Sequence, residues 1–191
     1  GIAHSKAEFL GECSREEVER HANNLMSSKP DCILAVGGGK LVDAGKCIAH
    51  RLNCQVVIIP TLASNDAPCS SISVLYTADG VKDVVEYFPQ NPAFVIVDTE
   101  VIVNASERYL VAGMGDAMAT WYEARVCEDN PITSNLVGCR PTLAASALSE
   151  KCAQTLFEHG VCAAENVRNN KNMDFLIHKS HNHWKYKSRC N

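Results

Sequence analysis

Between Ser14 and Pro60 the apolar residues change their period several times, and each change marks an element. Ser14-Arg15-Glu16-Glu17 fits the S-x-x-E capping box, in which a hydroxyl and a carboxylate satisfy backbone amides at a helix start. Val18, Ala22, Leu25 and Met26 follow at helical spacing, and the helix is expected to end near Ser28, ahead of Pro30. Residues 31–36 form a short continuous apolar run that reads as a buried strand. Gly37-Gly38-Gly39 follows at once, and residues 40–52 return to helical spacing through Leu41, Ala44, Ile48, Ala49 and Leu52. Residues 55–59 are a second buried-strand run, closed by Pro60. The order strand, glycine turn, helix, strand predicts parallel strands joined by a right-handed crossover.

Residues 61–70 are polar and irregular. Ile72, Val74 and Tyr76 then alternate as in a strand, Ala78-Asp79-Gly80 signals a turn, and residues 82–88 can return as the second arm of a hairpin. Pro89 and Pro92 bracket a loop before a third buried strand, residues 94–97. Beyond Ser106 the strand pattern stops. Residues 106–127 read as a helix, with breaks expected at Gly113 and Gly115. Residues 141–159 read as a second helix, with Gly160 as its C′ residue. The fold class is therefore α/β. A partial Rossmann-like, parallel-sheet nucleotide-binding domain over residues 1–105 is followed by the first helices of an all-α domain over 106–165. Residues 166–191, rich in Asn, Lys and His, are expected to form a poorly ordered tail.

Composition narrows the function. The 191 residues carry 18 Lys+Arg against 22 Asp+Glu, a formal net charge of −4, so no general field attracts a phosphate backbone and nucleic acid is not expected as a partner. No apolar run approaches the roughly 18–20 residues of a membrane helix, and the first ten residues show no secretory signal. A cytoplasmic setting is the expectation. Ten cysteines are present but no C-x-x-C pair, so a zinc knuckle is not signalled and reduced cysteines packed as small apolar residues are expected.

Four groups of residues could carry chemistry. The Gly37-Gly38-Gly39 turn between a strand and a helix offers backbone amides and a positive dipole end to a phosphate or pyrophosphate, with Lys40 as an added charge; it also fits a plain tight turn. The following loop offers Thr61, Ser64, Asn65, Asp66 and Ser70 at the strand edge where open α/β sheets collect ligands, although such residues also suit turns. Asp116 shares a helix face with Thr120 and Glu123; by spacing alone it is more readily a helix cap than a metal ligand. His178, His181 and His183 form an H-x-x-H-x-H cluster that could chelate a divalent metal, or bind one only adventitiously.

The segment Gly37-Gly38-Gly39-Lys40-Leu41-Val42-Asp43-Ala44-Gly45-Lys46 resembles the GGGK-x-x-D-x-x-K nucleotide loop of the glycerol dehydrogenases, within the metal-dependent, iron-containing alcohol dehydrogenase group. Three later segments are similar to the same family in the same order: residues 60–70 with Asn65-Asp66-Ala67-Pro68 at their centre, Val97-Asp98-Thr99-Glu100, and residues 111–121 around Gly115-Asp116. Residues 9–20 also resemble the family segment ahead of the nucleotide loop. The resemblance implies an N-terminal nucleotide-binding domain, a C-terminal helical domain and an active site in the cleft between them. It implies NAD over Gly38, Gly39, Lys40 and Asp43, with Thr61, Ser64, Ser70, Ile72 and Tyr76 as further cofactor contacts. It implies Asp66 as the contact to a small polyol and Asp116 as a carboxylate ligand of a catalytic zinc or other divalent metal. The implied reaction is glycerol plus NAD⁺ to dihydroxyacetone plus NADH, the metal favouring the alkoxide and Asp66 fixing the carbon that faces the cofactor.

The sequence also departs from the family. The family's first βα unit has no counterpart ahead of Gly1, and neither of the two histidines expected to join Asp116 on the metal has one either. After about residue 165 the resemblance stops. The expectation is a fragment of a dehydrogenase with little activity of its own, because a catalytic zinc usually needs three protein ligands. The alternative is an inactive remnant that binds nucleotide or associates with full-length subunits. Homo-oligomers are implied by the family, and the helical faces of 106–159 are expected to leave apolar surface uncovered.

Overall fold

A computed structural model describes residues 1, 3–130, 132 and 138–169, together with the backbone of 178–180 and 183–185. The chain divides into two compact units: Gly1–Leu62 with Asp66–Asp98, and Ala63–Asn65 with Thr99–Asn191.

In the first unit α1 (Arg15–Met26) is capped by Ser14, whose Oγ accepts from Glu17 N at 3.2 Å. Only this half of the capping box forms. Ser14 N already donates to Glu12 O at 2.8 Å, and the Glu17 carboxylate turns away to accept from Leu10 N at 3.1 Å and to pair with Arg20 and His21. The glycine turn separates β1 (Cys32–Gly37) from α2 (Gly39–Leu52), and β2 (Gln55–Pro60) lies parallel to β1 in the register Cys32↔Gln55 to Gly37↔Pro60. A 3-10 turn (Ala67–Cys69) leads into the hairpin of β3 (Ile72–Tyr76) and β4 (Lys82–Tyr87), which reverses where Gly80 holds φ +79°.

The third parallel strand, β5 (Phe94–Val95), is shorter and more open than the apolar run predicts. It pairs with β2 only, and Phe94, Ile96 and Val97 are exposed. Leu34 and Val36 of β1 are exposed as well, while Ala35 and Ile58 are buried against Val42. A continuous apolar run leads one to expect burial on both faces. A pleated strand points alternate side chains to opposite faces, and Ala35 is buried where Leu34 and Val36 are not. The rest of the core, Cys13, Val18, Ala44, Cys47, Ile48 and Leu75, joins α1, α2 and the hairpin. Arg51 reinforces it. Its guanidinium holds Glu86 of β4 in a fork at 2.6 and 2.7 Å and Glu19 of α1 at 2.8 Å, a bidentate geometry that only Arg provides.

The second unit contains α3 (Thr99–Val103), α4 (Glu107–Asp129) and α5 (Leu143–Arg168). The glycines expected to break or end these helices do neither. α4 runs unbroken through Gly113 and Gly115, and α5 runs nine residues past His159 to Arg168. At Gly113 the reason is space: an added Cβ would stand 2.1 Å from Ala63 O, so the glycine admits a close backbone approach. At Gly160 a Cβ position lies 3.5 Å from Met114 Sδ, ordinary packing between α4 and α5. Burying that helix contact outweighs a glycine penalty of roughly 1 kcal/mol. Arg168 and Glu107 pair across the two helices, Nε to Oε2 at 2.7 Å.

The apolar surface expected in this half is present: Val126, Leu143, Leu148, Phe157 and Val161 are all exposed. β6 (His178–Ser180) and β7 (His183–Lys185) pair antiparallel. His181 lies outside the described residues, as do the side chains of His178 and His183 and most of the expected tail. Among the nine described cysteines Cys13 and Cys47 are buried thiols, as expected, but Cys32, Cys69, Cys139 and Cys152 are exposed rather than packed, and Cys162 is disulfide-bonded against the expectation of reduced cysteines. No helix among the described residues is long and apolar enough to cross a membrane.

Candidate functional site

The candidate nucleotide site is built at the C-terminal edge of the β1–β2 pair, inside the first unit. β1 ends at Gly37, and Gly38 caps α2 in extended conformation, φ −82° and ψ −176°, without a side-chain hydrogen bond. Leu41 N and Val42 N both donate to Gly38 O at 3.0 Å, which leaves the amides of Gly39 and Lys40 ahead of the first helical bond. Thr61 N donates to Gly37 O at 3.0 Å and ties the end of β2 to the same turn. Side chains close in from both sides. A Cβ on Gly37 would stand 3.0 Å from Leu41 Cβ, and one on Gly38 would stand 3.2 Å from Leu62 Cδ1. A side chain at Gly37 would thus press on Leu41 Cβ, whereas one at Gly38 would meet only the movable tip of Leu62. The amides of Gly39 and Lys40, backed by the positive end of a 14-residue helix, suit a pyrophosphate. On this observation the residues present fit a dinucleotide.

Lys40 is exposed and its ammonium is paired with Glu12. It stands at the helix start, as a phosphate ligand would, but with a carboxylate as its partner.

Asp43 and Lys46 turn inward. Asp43 Oδ2 accepts from Val74 N at 3.0 Å, and its backbone carbonyl accepts from Ser73 Oγ at 2.9 Å. Asp43 Oδ1 is buried with the Lys46 ammonium 2.9 Å away and makes no aligned hydrogen bond. Lys46 Nζ donates to Ala67 O at 2.9 Å, Ser70 Oγ at 3.3 Å and Ser70 O at 3.4 Å, and also to Ile72 O. The sequence reading left Lys46 without a role. Its signals in the sequence were its place as the last lysine of the glycine-turn motif and its spacing of three residues, one helical turn, after Asp43.

Asp66 is exposed at the start of the 3-10 turn, where its carbonyl accepts from Cys69 N at 3.0 Å. Thr61, Ser70, Ile72 and Tyr76 are half-buried in the first unit, with Tyr76 N held by Cys13 O at 2.8 Å. The first unit thus gathers Gly38, Gly39, Lys40, Asp43, Thr61, Asp66, Ser70, Ile72 and Tyr76. Ser64 and Asp116 belong to the second.

Asp116 is not a helix cap. It is the tenth residue of α4, and the cap is Ser106, whose Oγ accepts from Arg108 N. Asp116, Thr120 and Glu123 are exposed on one face of that helix. Among the described residues no group of three or more His, Cys, Asp or Glu side chains could hold a metal ion. The donors present do not fit a catalytic zinc, which takes three protein ligands. A cavity of about 220 Å³ lies between α4 and α5, lined by Trp121, Arg125, Glu128, Ser146 and Glu150 among others, and includes none of the predicted site residues.

Comparison with known proteins agrees with this geometry. The iron-containing alcohol dehydrogenase family model matches residues 3–99, just over half the chain and nearly coincident with the first unit. The chain is 45% identical to a glycerol dehydrogenase of Thermotoga maritima over 163 residues, 85% of this chain and 44% of that protein. It is 40% identical to a glycolaldehyde reductase of Halobacterium salinarum over 167 residues, 87% of this chain and 46% of that protein. Among solved structures it resembles a probable glycerol dehydrogenase of Sinorhizobium meliloti 1021, with a TM-score of 0.82 at 38% identity, covering 87% of this chain and 46% of that one. The chain spans less than half the length of these relatives. A strand–glycine turn–helix unit with the family's loop residues in order, and a family match over that same unit, lead to one conclusion: the chain belongs to the iron-containing alcohol dehydrogenase family.

Proposed function

We propose that the protein is an NAD-dependent dehydrogenase of small polyols, with glycerol as its substrate, and that this chain carries the nucleotide-binding part. The observation that supports this most is the Gly37-Gly38-Gly39 turn at the open N-terminus of α2. The amides of Gly39 and Lys40 and the helix dipole receive the pyrophosphate. The hydroxyls of Thr61 and Ser70 offer hydrogen bonds, and Ile72 and Tyr76 offer an apolar wall. NAD, when bound, supplies the hydride acceptor. Asp66 accepts a hydrogen bond from a substrate hydroxyl and orients the polyol. Glycerol gives up its C2 hydrogen as hydride and its C2 hydroxyl proton, and the products are dihydroxyacetone, NADH and a proton.

The family also implies a divalent metal. Asp116 is the residue of this chain assigned to it, and one exposed carboxylate does not make a catalytic site. That observation favours a second reading, in which the chain binds nucleotide without turning over polyol. The two are separated by titrating the purified protein with NADH and then assaying glycerol with NAD⁺ in the presence of zinc. Glycolaldehyde with NADH is assayed in parallel, because one relative is named for that aldehyde. NADH binding with glycerol turnover supports the first reading, binding without turnover supports the second, and no binding removes both.

A further inference from the structure

We infer that Lys46 is a positioning residue: its buried ammonium is an internal cation that holds the loop of residues 66–72 in the shape that presents Ser70 and Ile72 to the nucleotide. This rests on the reading of Ser70 and Ile72 as nucleotide contacts.

Lys46 is 3% exposed, which is rare for lysine unless the charge is compensated. Five oxygens surround its Nζ. Three are the backbone carbonyls of Ala67, Ser70 and Ile72, one is Ser70 Oγ, and one is Asp43 Oδ1. An ammonium has three hydrogens to donate. Four of these oxygens share them as acceptors, while Asp43 Oδ1 stands 2.9 Å away as the counter-charge without an aligned hydrogen bond. The single carboxylate balances the charge of an ammonium held away from solvent.

The arrangement has a local logic. The 3-10 turn Ala67–Cys69 is closed by a long bond, Ser70 N to Ala67 O at 3.4 Å, so the carbonyls of Ala67 and of the following Ser70 keep lone pairs for a further donor. Lys46 fills this place from α2, more than 20 residues earlier in the chain. The same ammonium reaches the first carbonyl of β3 at Ile72. One side chain thus fixes the beginning and the end of the segment against the helix that forms the proposed pyrophosphate cradle. The apolar core of the unit, Val18, Ala44, Cys47, Ile48 and Leu75, is built without Lys46. Loss of the ammonium should therefore loosen the loop before it loosens the unit.

The test uses the whole chain with Lys46→Met, which keeps the stem and removes the charge, and Lys46→Arg, which keeps a cation. Amide hydrogen exchange is followed in residues 67–72 and, as an internal reference, in α1. NADH affinity is read by fluorescence titration. In Lys46→Met the loop should exchange at least roughly tenfold faster with α1 unchanged, and the NADH dissociation constant should rise by roughly tenfold. Lys46→Arg should recover most of both.

An unchanged loop, or a loosened loop with unchanged affinity, overturns the proposal. Should Lys46→Met fail to fold, the charge-balanced pair Asp43→Asn with Lys46→Met is used. A loop as protected there as in the unaltered chain, or one that loosens together with α1, also overturns it. If the unaltered chain takes up no NADH while the Met loop still loosens alone, the nucleotide reading fails and the positioning role with it, and only the clamp on the loop stands.

Discussion

A Cβ placed on Gly45 would stand 2.4 Å from the Cβ of Ala35, so α2 rests on β1 with no room for a methyl group between them. This contact sets the height of α2 above the sheet, and so the position of the amides at its first turn. Gly45→Ala gains up to about 1 kcal/mol of helix propensity but forces overpacking that costs about 1–3 kcal/mol. The expected net result is destabilisation of up to about 2 kcal/mol. Urea unfolding would show it as a lower midpoint at unchanged slope. A raised midpoint would mean that the helix does not sit this close.

Gly113→Ala should cost more. The obstacle there is a backbone carbonyl, Ala63 O at 2.1 Å, rather than a methyl group. A carbonyl moves only with its chain, so the expected loss is about 2–3 kcal/mol or more. The same denaturation experiment checks it, with helix content followed by circular dichroism. A loss smaller than that of Gly45→Ala would contradict the close approach.

Acid should weaken the first unit through Glu17 and Glu86. The Arg20 guanidinium beside Glu17 is the main cause that holds its carboxyl at about 2, against an ordinary 4.5. Arg51 lowers Glu86 in the same way. In both cases the folded state binds a proton less readily than the unfolded chain. Their stabilisation is therefore complete above the unfolded value and is lost as pH falls from about 5 toward 2. Unfolding midpoints measured over that range should fall less steeply in Glu17→Gln than in the unaltered chain. Equal slopes would show that the Arg20 pair contributes nothing.

Gly38→Ala should spare the fold and harm the site. The backbone there is extended with negative φ, and the nearest obstacle, Leu62 Cδ1 at 3.2 Å, is the tip of a flexible side chain. The new methyl and the displaced Leu62 should crowd the turn beside the Gly39 and Lys40 amides. NADH affinity is expected to fall by about tenfold with the unfolding midpoint changed by less than about 1 kcal/mol equivalent. Fluorescence titration and denaturation on the same sample decide it.

On the second reading the chain by itself should bind NADH yet oxidise glycerol at a negligible rate with zinc present, since no group of three or more His, Cys, Asp or Glu side chains among the described residues could hold the metal. Asp116→Ala should leave that rate unchanged. Zinc-dependent NADH formation that disappears in Asp116→Ala would show that a complete metal site exists and that residues beyond those described here finish it.

The sequence alone determined the parts that depend on local spacing. The run β1, glycine turn, α2, β2 and the β3–β4 hairpin were legible because strand and helix periods, capping residues and turn residues act over a few positions. The glycine turn was legible for the same reason, although spacing left open whether it cradles a phosphate or only turns the chain, and the nucleotide reading came from the family resemblance. Tertiary structure decided the rest. Whether Gly113 and Gly160 break a helix depended on what stands against them, and both lie inside long helices because Ala63 and Met114 pack there. The exposed faces of β1 and β5 depended on which layer covers the sheet, which a run of apolar residues does not state. Lys40 and Lys46 are six residues apart on one helix, yet one is exposed against Glu12 and the other is buried among the oxygens of residues 67–72. Apart from Asp43, one helical turn from Lys46, their partners lie 21 to 28 positions away in the chain. No period of 2 or 3.6 residues encodes a meeting at that distance; it is fixed only when packing brings the segments together.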